Sequence, residues 1–196
     1  MATEEPVFTS ALKEGDFELR DYPALVVAEA LVQGNRSAAA SEGFRLLAGY
    51  IFGGNTRRQS IAMTAPVAQT AAGGESIAMT APVVQMGGAG GWTVRFVMPS
   101  AYGLTSLPVP NDPRVQLRAV PPQRFAVVRF SGLAHDTDIA QRTTELHAFA
   151  NARHLRISGP VALARYNPPW TPWFMRRNEV MLPVHRDPQP ALAPIH

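Results

Sequence analysis

The chain has 196 residues, of which 46% are hydrophobic, and it carries a formal net charge of +3 and no cysteine. Its length and composition predict a globular fold with a sizeable core, and the lack of cysteine excludes disulfides, thiolate nucleophiles and cysteine-ligated zinc or haem iron. Because its arginines are spread along the chain, whereas nucleic-acid-binding proteins concentrate positive charge on one face, we expect no nucleic-acid partner.

The first ten residues, MATEEPVFTS, carry acidic groups where a secretory signal would have a basic stretch followed by an apolar block. The sequence has no run of about eighteen apolar residues, the length that a membrane-spanning helix requires. We therefore expect a cytoplasmic protein without a membrane span.

Two strands and a helix are predicted first. Residues 17–34, FELRDYPALVVAEALVQG, alternate in polarity and become β-branched around Tyr22–Pro23, which predicts a hairpin with a tight turn. An amphipathic helix of about four turns follows, with Ser37 as its expected N-cap and Gly53–Gly54 as its stop. Its apolar positions at helical spacing are Phe44, Leu47, Ala48 and Ile51.

The segment SIAMTAPV occurs twice, at Ser60–Val67 and at Ser76–Val83. The residue before a proline favours an extended conformation, so each copy predicts a strand. Gly73–Gly74 lies between the copies and can reverse the chain. A further strand is expected in WTVRFVMPS, residues 92–100, because its apolar side chains alternate.

The second half repeats this order. Residues 115–132, VQLRAVPPQRFAVVRFSG, resemble the first predicted hairpin. A second helix is expected with Asp136 or Thr137 as its N-cap and with Ile139, Leu146 and Phe149 facing a core. Strands in PVALARYNPP and NEVMLPV then flank a proline-rich turn.

Strands, a helix and strands thus occur twice, which predicts an α+β fold with two helices on a mostly antiparallel sheet. The halves cover about residues 15–99 and 114–185. Each half is small for an independent core, so we expect a single domain with a frayed tail at residues 186–196.

The turn NPPWTPWFMRRNE, residues 167–179, concentrates large apolar side chains in a loop. They either cap the open end of the sheet or form one wall of a pocket for a flat apolar ligand. In the second case Arg176 and Arg177 would meet acidic groups of that ligand. The large apolar side chains of this turn are those of Trp170, Trp173, Phe174 and Met175.

The first helix is a candidate for the other wall, although its apolar residues could equally be core. Tyr50, Phe52, Arg57 and Arg58 place aromatic and basic groups together at its end, as a carboxylated amphiphile would require.

Metal and catalytic motifs are weak. His147 and His154 are seven residues apart, so no histidine pair has metal-chelating spacing on a helix, and no metal site is predicted. Met63 and Met79 are interpreted as core residues. Glu179 could be a general base, a counter-charge for a cationic ligand, or the partner of a neighbouring arginine.

Several motifs in the same order resemble the SOUL haem-binding protein family. They are FELRDYP, the doubled IAMTAPV, WTVRFVMPS, LPVPNDPRV, FSG and ARYNPPWTPWFMRRNEV, and they run from Phe17 to Val184. The resemblance implies a distorted antiparallel β-barrel-like core flanked by two helices and built from two βαβ-type halves, as in GyrI-like ligand-binding domains.

The resemblance also implies a carrier that binds haem or another tetrapyrrole non-covalently and without catalysis. In one branch of the family the ligand lies in an open groove between the first helix and the late loop, which here are residues 44–52 and 170–177. With the neighbouring arginines, the expected site is Phe44, Leu47, Ala48, Tyr50, Ile51, Arg57, Arg58, Trp170, Trp173, Phe174, Arg176 and Arg177.

This chain departs from the family pattern at two points. Asp21 stands where another branch has an iron-ligating histidine, so axial ligation is not carried over. The basic positions of the groove correspond mostly to non-basic residues here, namely Glu42, Tyr50 and Thr171.

Two alternatives stay open. One is a GyrI-like sensor of small molecules or a small enzyme using Glu179, which a buried and unpaired Glu179 would favour. The other is a module that binds a protein partner through the aromatic loop.

Overall fold

A computed structural model describes residues 4–57, 60–61, 65–71, 91–167 and 170–186, which form an open nine-stranded antiparallel sheet and two α-helices. In chain order these are β1 (Thr9–Glu14), β2 (Phe17–Tyr22), β3 (Leu25–Val32), α1 (Arg36–Ile51), β4 (Val67–Ala71), β5 (Trp92–Val97), β6 (Val115–Val120), β7 (Gln123–Ser131), α2 (Asp136–Ala152), β8 (Ala162–Arg165) and β9 (Arg177–Val184). A short 3-10 helix, Trp173–Met175, precedes β9.

The sheet order is β1-β2-β7-β9-β8-β4-β5-β3-β6. Apart from β1, it reads as two equivalent halves that meet between β8 and β4. The first strand of each half pairs within the other half, since β2 lies beside β7 and β6 beside β3. The predicted strand–helix–strand repeat is therefore present, with one strand exchanged in each direction.

Both predicted hairpins are wrong, because β2 does not pair with β3 and β6 does not pair with β7. A two-residue hairpin needs positive φ in its turn, and proline fixes φ near −65°. Pro23 separates β2 from β3, and Pro121–Pro122 separates β6 from β7. The chain therefore continues into a different part of the sheet at each junction.

Both helices pack on one face of the sheet. In the strand register Val180 lies opposite Leu163, and Leu163 lies opposite Gln69. Gln69 in turn lies opposite Val94, and directly opposed residues point to the same face. Val180 belongs to the core beneath α2 and Val94 to the core beneath α1, so the two cores share this face.

The helices bury most of the predicted apolar residues, although Phe44 and Ala48 of α1 stay partly exposed. Leu47 and Ile51 of α1 and Leu146 of α2 are fully buried. The N-cap of α1 is Asn35 rather than Ser37, and its Oδ1 accepts a hydrogen bond of 2.9 Å from the Ala38 amide. Neither helix in the described residues is long and apolar enough to cross a membrane.

The α+β class is confirmed, whereas closure of the sheet into a barrel is not. The sheet is open, since β1 and β6 are its two edges and do not pair with each other. Among the described residues of the first SIAMTAPV copy, Ser60 bridges Phe52 and Val67 begins β4. The second copy lies outside the described residues.

Gly43 allows α1 to lie close to the sheet. A β-carbon at this position would be 2.5 Å from a methyl group of Val94, whereas one at Gly49, on the exposed side of the same helix, would meet nothing within 4 Å. We therefore expect Gly43→Ala to destabilise the protein although alanine favours helix. Gly49→Ala should stabilise it by about 0.5–1 kcal/mol. Urea denaturation of both variants tests this, and equal stabilisation would contradict the close packing.

Candidate functional site

The loop before β9 presents four large apolar side chains to solvent. Trp173 and Phe174 belong to the 3-10 helix, and their rings contact edge-on with centroids 5.7 Å apart. The exposed fractions are 83% for Trp170, 59% for Trp173, 61% for Phe174 and 64% for Met175. These residues form what we call the aromatic loop, and they face outward instead of covering the end of the sheet.

Hydrogen bonds hold the base of the aromatic loop. The Arg176 guanidinium donates from Nε to the Thr171 carbonyl at 2.8 Å. The Arg177 amide donates to Oδ1 of Asn167 at 2.6 Å. The loop can therefore keep its shape while its aromatic side chains stay exposed, which lowers the ordering cost of binding a ligand.

Two adjoining clefts lie between the aromatic loop, the end of β7 and the start of α2. The first cleft has a volume of about 430 Å³, and its lining includes Phe130, Leu133, His135, Arg142 and Trp173. The second cleft has a volume of about 370 Å³, and its lining includes Asp16, Arg129, Arg142, Phe174, Arg176 and Arg177. The first thus offers apolar surface, and the second is rich in arginine.

Further arginines lie close together on the helix side of the sheet. Burial lowers the pKa of Arg165, and the nearby charges of Arg36 and Arg176 lower it further. Arg36 also pairs with Asp136 at 2.8 Å, so the first turns of α1 and α2 are neighbours. The region around the base of the aromatic loop is therefore positively charged.

The structure brings together only part of the predicted site. Trp173, Phe174, Arg176 and Arg177 all line the clefts. Trp170 lies on the same loop, at its exposed beginning.

The residues predicted on α1 lie elsewhere. Leu47, Tyr50 and Ile51 are buried against the sheet, and the Tyr50 hydroxyl donates to the Pro108 carbonyl at 2.9 Å. Phe44 and Ala48 are partly exposed. Neither cleft contains a described residue of α1. Arg57 is exposed beyond the helix end, and Arg58 lies outside the described residues.

Sequence reasoning missed the cleft residues outside the aromatic loop, among them Phe130, Leu133, His135 and Arg142. They come from the end of β7, from the segment that joins β7 to α2 and from the first turns of α2. The FSG motif marked this segment, but the sequence did not show that it lies beside the aromatic loop, about 40 residues later in the chain.

Glu179 lies on the opposite face of the sheet, fully buried and fully paired. Arg20 donates to its carboxylate at 2.7 and 3.2 Å, and Arg177 donates at 3.0 and 2.9 Å. The Tyr166 hydroxyl donates at 2.6 Å. The network joins β2 to β9, and it removes the main support for a base or cation site at Glu179.

Burial alone would raise the pKa of Glu179. The hydrogen bonds and positive charges of Arg20 and Arg177, with the Tyr166 hydroxyl, outweigh burial and hold the pKa below its usual value. Burial also raises the pKa of Tyr166, and the negative charge of the adjacent Glu179 carboxylate raises it further. Glu179 therefore stays ionised and acts as the centre of a structural network.

Asp21 is also engaged in ion pairs. Arg124 donates to its two carboxylate oxygens at 2.9 and 2.7 Å, and Arg186 donates at 2.9 Å. The hydrogen bond from Arg124 is the main reason why the pKa of Asp21 falls to about 2. The position where a family branch carries a histidine is thus used here for strand-to-strand pairing.

A family model described as SOUL heme-binding protein matches residues 3–183. The chain belongs to the SOUL heme-binding protein family. The match covers nearly all of the sheet and both clefts. No curated protein sequence matches the chain significantly.

Solved structures share the fold of this SOUL family member at low identity. EcmrR bound to DNA is 10% identical with a TM-score of 0.64, and the match covers 87% of this chain and 57% of that one. An uncharacterized conserved protein from Listeria innocua is 15% identical with a TM-score of 0.60, covering 87% and 92%. A hydrolase from Listeria innocua is 13% identical with a TM-score of 0.55, covering 89% and 94%. The chain thus spans little more than half of the EcmrR chain, and these likenesses show the fold alone.

Haem, which the family description names, is a flat apolar macrocycle that carries carboxylate groups. The SOUL family member offers exposed aromatic rings on one loop, with Trp173 beside the apolar first cleft. Arg176 and Arg177 of the same loop line the second cleft. Aromatic rings can pack on such a macrocycle, and guanidinium groups pair with carboxylates, so Trp173 and Arg176 fit the ligand. The guanidinium of Arg177 is already paired with Glu179 and Glu5.

Glu179→Gln is expected to destabilise the protein by about 3 kcal/mol at pH 7, because it removes the fully buried carboxylate that pairs with both Arg20 and Arg177. Their other carboxylate partners, Glu18 and Glu5, are more exposed. Folding lowers the pKa of Glu179, so its ionised carboxylate stabilises the folded protein. This stabilisation is fully present above the unfolded pKa of about 4.3 and is lost as pH falls through the folded pKa. The free energies of unfolding of wild type and variant should therefore converge in acid. Denaturant unfolding at several pH values measures this.

Glu145→Gln is the matched control, because Glu145 lies on the surface of α2 and pairs with Arg142 at 2.8 Å. The loss of stability caused by Glu145→Gln should stay below about 1 kcal/mol. Equal stability of the two variants at pH 7 would contradict the structural role of Glu179.

Proposed function

We propose that this protein binds haem or a related tetrapyrrole non-covalently at the aromatic loop and the two adjoining clefts, and acts without catalysis as a cytoplasmic carrier or buffer. The observation that carries the proposal is the exposed aromatic loop beside an arginine-lined cleft. Membership of the SOUL heme-binding family supports the ligand class.

The apolar part of the ligand packs on Trp173 and on Phe130 and Leu133 of the first cleft. Leu133 is 48% exposed and Trp173 59% exposed, so both have apolar surface left to bury. Removing apolar surface from water contributes about 25 cal/mol per Å², which favours binding of a large macrocycle even after ordering costs.

The carboxylates of the ligand are directed to the second cleft. Arg129, Arg142 and Arg176 line it, and only one acidic residue, Asp16, joins them in its described lining. Arg165 and Arg36 add positive charge near Arg176. An anionic group is therefore attracted to this side of the loop.

The predicted contribution of α1 is retained as part of the proposal through its exposed residues. Phe44 is 38% exposed, and its ring contacts Phe96 edge-on at 5.5 Å. Leu47, Tyr50 and Ile51 would contribute indirectly, because they hold α1 on the sheet. A Phe44→Ala variant that binds as well as wild type would confine the site to the aromatic loop and α2.

Titration with haemin and with metal-free protoporphyrin tests the proposal. We expect saturable binding of both, and Trp173→Ala should weaken each by about ten-fold through lost apolar contact. Leu31→Ala is the control, since Leu31 is 56% exposed on the other face of the sheet and should leave both affinities unchanged. Absence of saturable binding to the wild-type protein would refute the proposal.

The role of the arginines is tested by changing the ligand. The dimethyl ester of protoporphyrin keeps the macrocycle but has no charged carboxylates. We expect it to bind several-fold more weakly than the free acid, and we expect the difference to shrink as salt is raised. Equal affinities at low salt would contradict a carboxylate subsite.

A further inference from the structure

The first cleft contains one side chain that can ligate iron strongly. Haem iron in proteins is held by His, Cys, Met or Tyr. The chain has no cysteine. Among the described residues, His135 is the one of these types that lines the first cleft, and Met175 lines the second.

The backbone of His135 is fixed at the start of α2. Its amide donates to the Asp138 carboxylate at 3.1 Å, and its carbonyl accepts from the Ile139 amide at 3.0 Å. His135 is therefore the N-cap of a 17-residue helix that packs firmly on the sheet. A side chain carried by such an anchored residue needs little ordering when a ligand binds.

His135 and Trp173 line the same cleft, although they are far apart in the sequence. Phe130 and Leu133 add apolar surface to the same lining. A macrocycle that packs on Trp173 in this cleft therefore lies beside an imidazole.

The other described histidines lie away from the clefts. At 1.5 Å per residue, His147 is about 18 Å further along α2, and His154 follows the end of the helix, roughly 28 Å away. His185 follows β9. None of these three lines either cleft.

We infer that His135 is the axial ligand to the iron of a haem bound in the first cleft. This inference rests on the proposed function. It adds that the protein distinguishes haem from the metal-free macrocycle, because only an iron-bearing ligand gains from the imidazole. It also assigns ligation to the β7–α2 junction and not to β2, where Asp21 is held by arginines.

His135→Asn is the central variant. Asparagine is a favourable N-cap residue, so α2 should keep its start while the imidazole is lost. His154→Asn is the matched control, because His154 is exposed and distant from the clefts. Met175→Leu removes the thioether of the second cleft at nearly constant size. Circular dichroism and thermal unfolding verify that each variant is folded.

Each variant is titrated with haemin and with metal-free protoporphyrin, and the absorption and electron paramagnetic resonance spectra of the haemin complex are recorded. We expect His135→Asn to shift the Soret band and to weaken haemin binding by about ten-fold or more, on the scale of losses at metal sites. Protoporphyrin affinity should not change. Added imidazole should restore the wild-type spectrum, and His154→Asn should behave as wild type. Met175→Leu changes the binding loop, so its haemin affinity can fall, but its Soret band should keep the wild-type position.

The experiment can refute ligation by His135 without refuting the proposed function. If wild type binds both ligands saturably but His135→Asn leaves the Soret band and haemin affinity unchanged, axial ligation by His135 is overturned and macrocycle binding stands. A shift caused by Met175→Leu alone also overturns it. If wild type binds neither ligand, the proposed function itself fails.

Discussion

The proline-bearing junctions at Pro23 and Pro121–Pro122 determine how the two halves of this protein combine. Because neither junction can form a two-residue hairpin, β2 and β6 each pass to the opposite half, where they pair with β7 and β3. The exchange makes one sheet from two repeats. Arg20 of β2 then reaches Glu179 of β9, so the buried ion-pair network joins the repeats on the face opposite the helices. The same arrangement places α2 beside the strand that follows the aromatic loop.

Local sequence patterns predict most of the elements, because helix periodicity and strand alternation depend on near neighbours. Trp92, Val94 and Phe96 alternate inward as expected, and the α2 residues Ile139, Leu146 and Phe149 are buried as expected. The pairing of strands is different in kind. It depends on contacts between residues about 100 positions apart, such as Phe17 with Val128, and no local pattern carries that information. Closure into a barrel also depends on distant strand pairs, and the open sheet does not confirm it.

The candidate site, too, is predicted from the sequence only where its residues are close together in the chain. An aromatic and basic loop is visible in the sequence, because Trp173, Phe174, Arg176 and Arg177 are nearly consecutive. The opposing wall comes from Phe130, Leu133, His135 and Arg142, which reach the loop only through the sheet. The apolar spacing of α1 could not distinguish a groove from a core. Burial shows that Leu47 and Ile51 pack on the sheet, where Val94 approaches Gly43 closely.

The ion pair between Arg36 and Asp136 shows that α1 and α2 begin next to each other. Helix N-termini carry partial positive charge, so two of them lie together on the side of the sheet where Arg165 is close to Arg36 and Arg176. Such a concentration of charge acts at a distance as well as on contact, and it can guide an anionic molecule toward the loop before any atom touches. Capture of a dilute carboxylated ligand would then be fast at low ionic strength and would slow as salt shortens the range of the field, whereas release would depend on the short-range packing against Trp173.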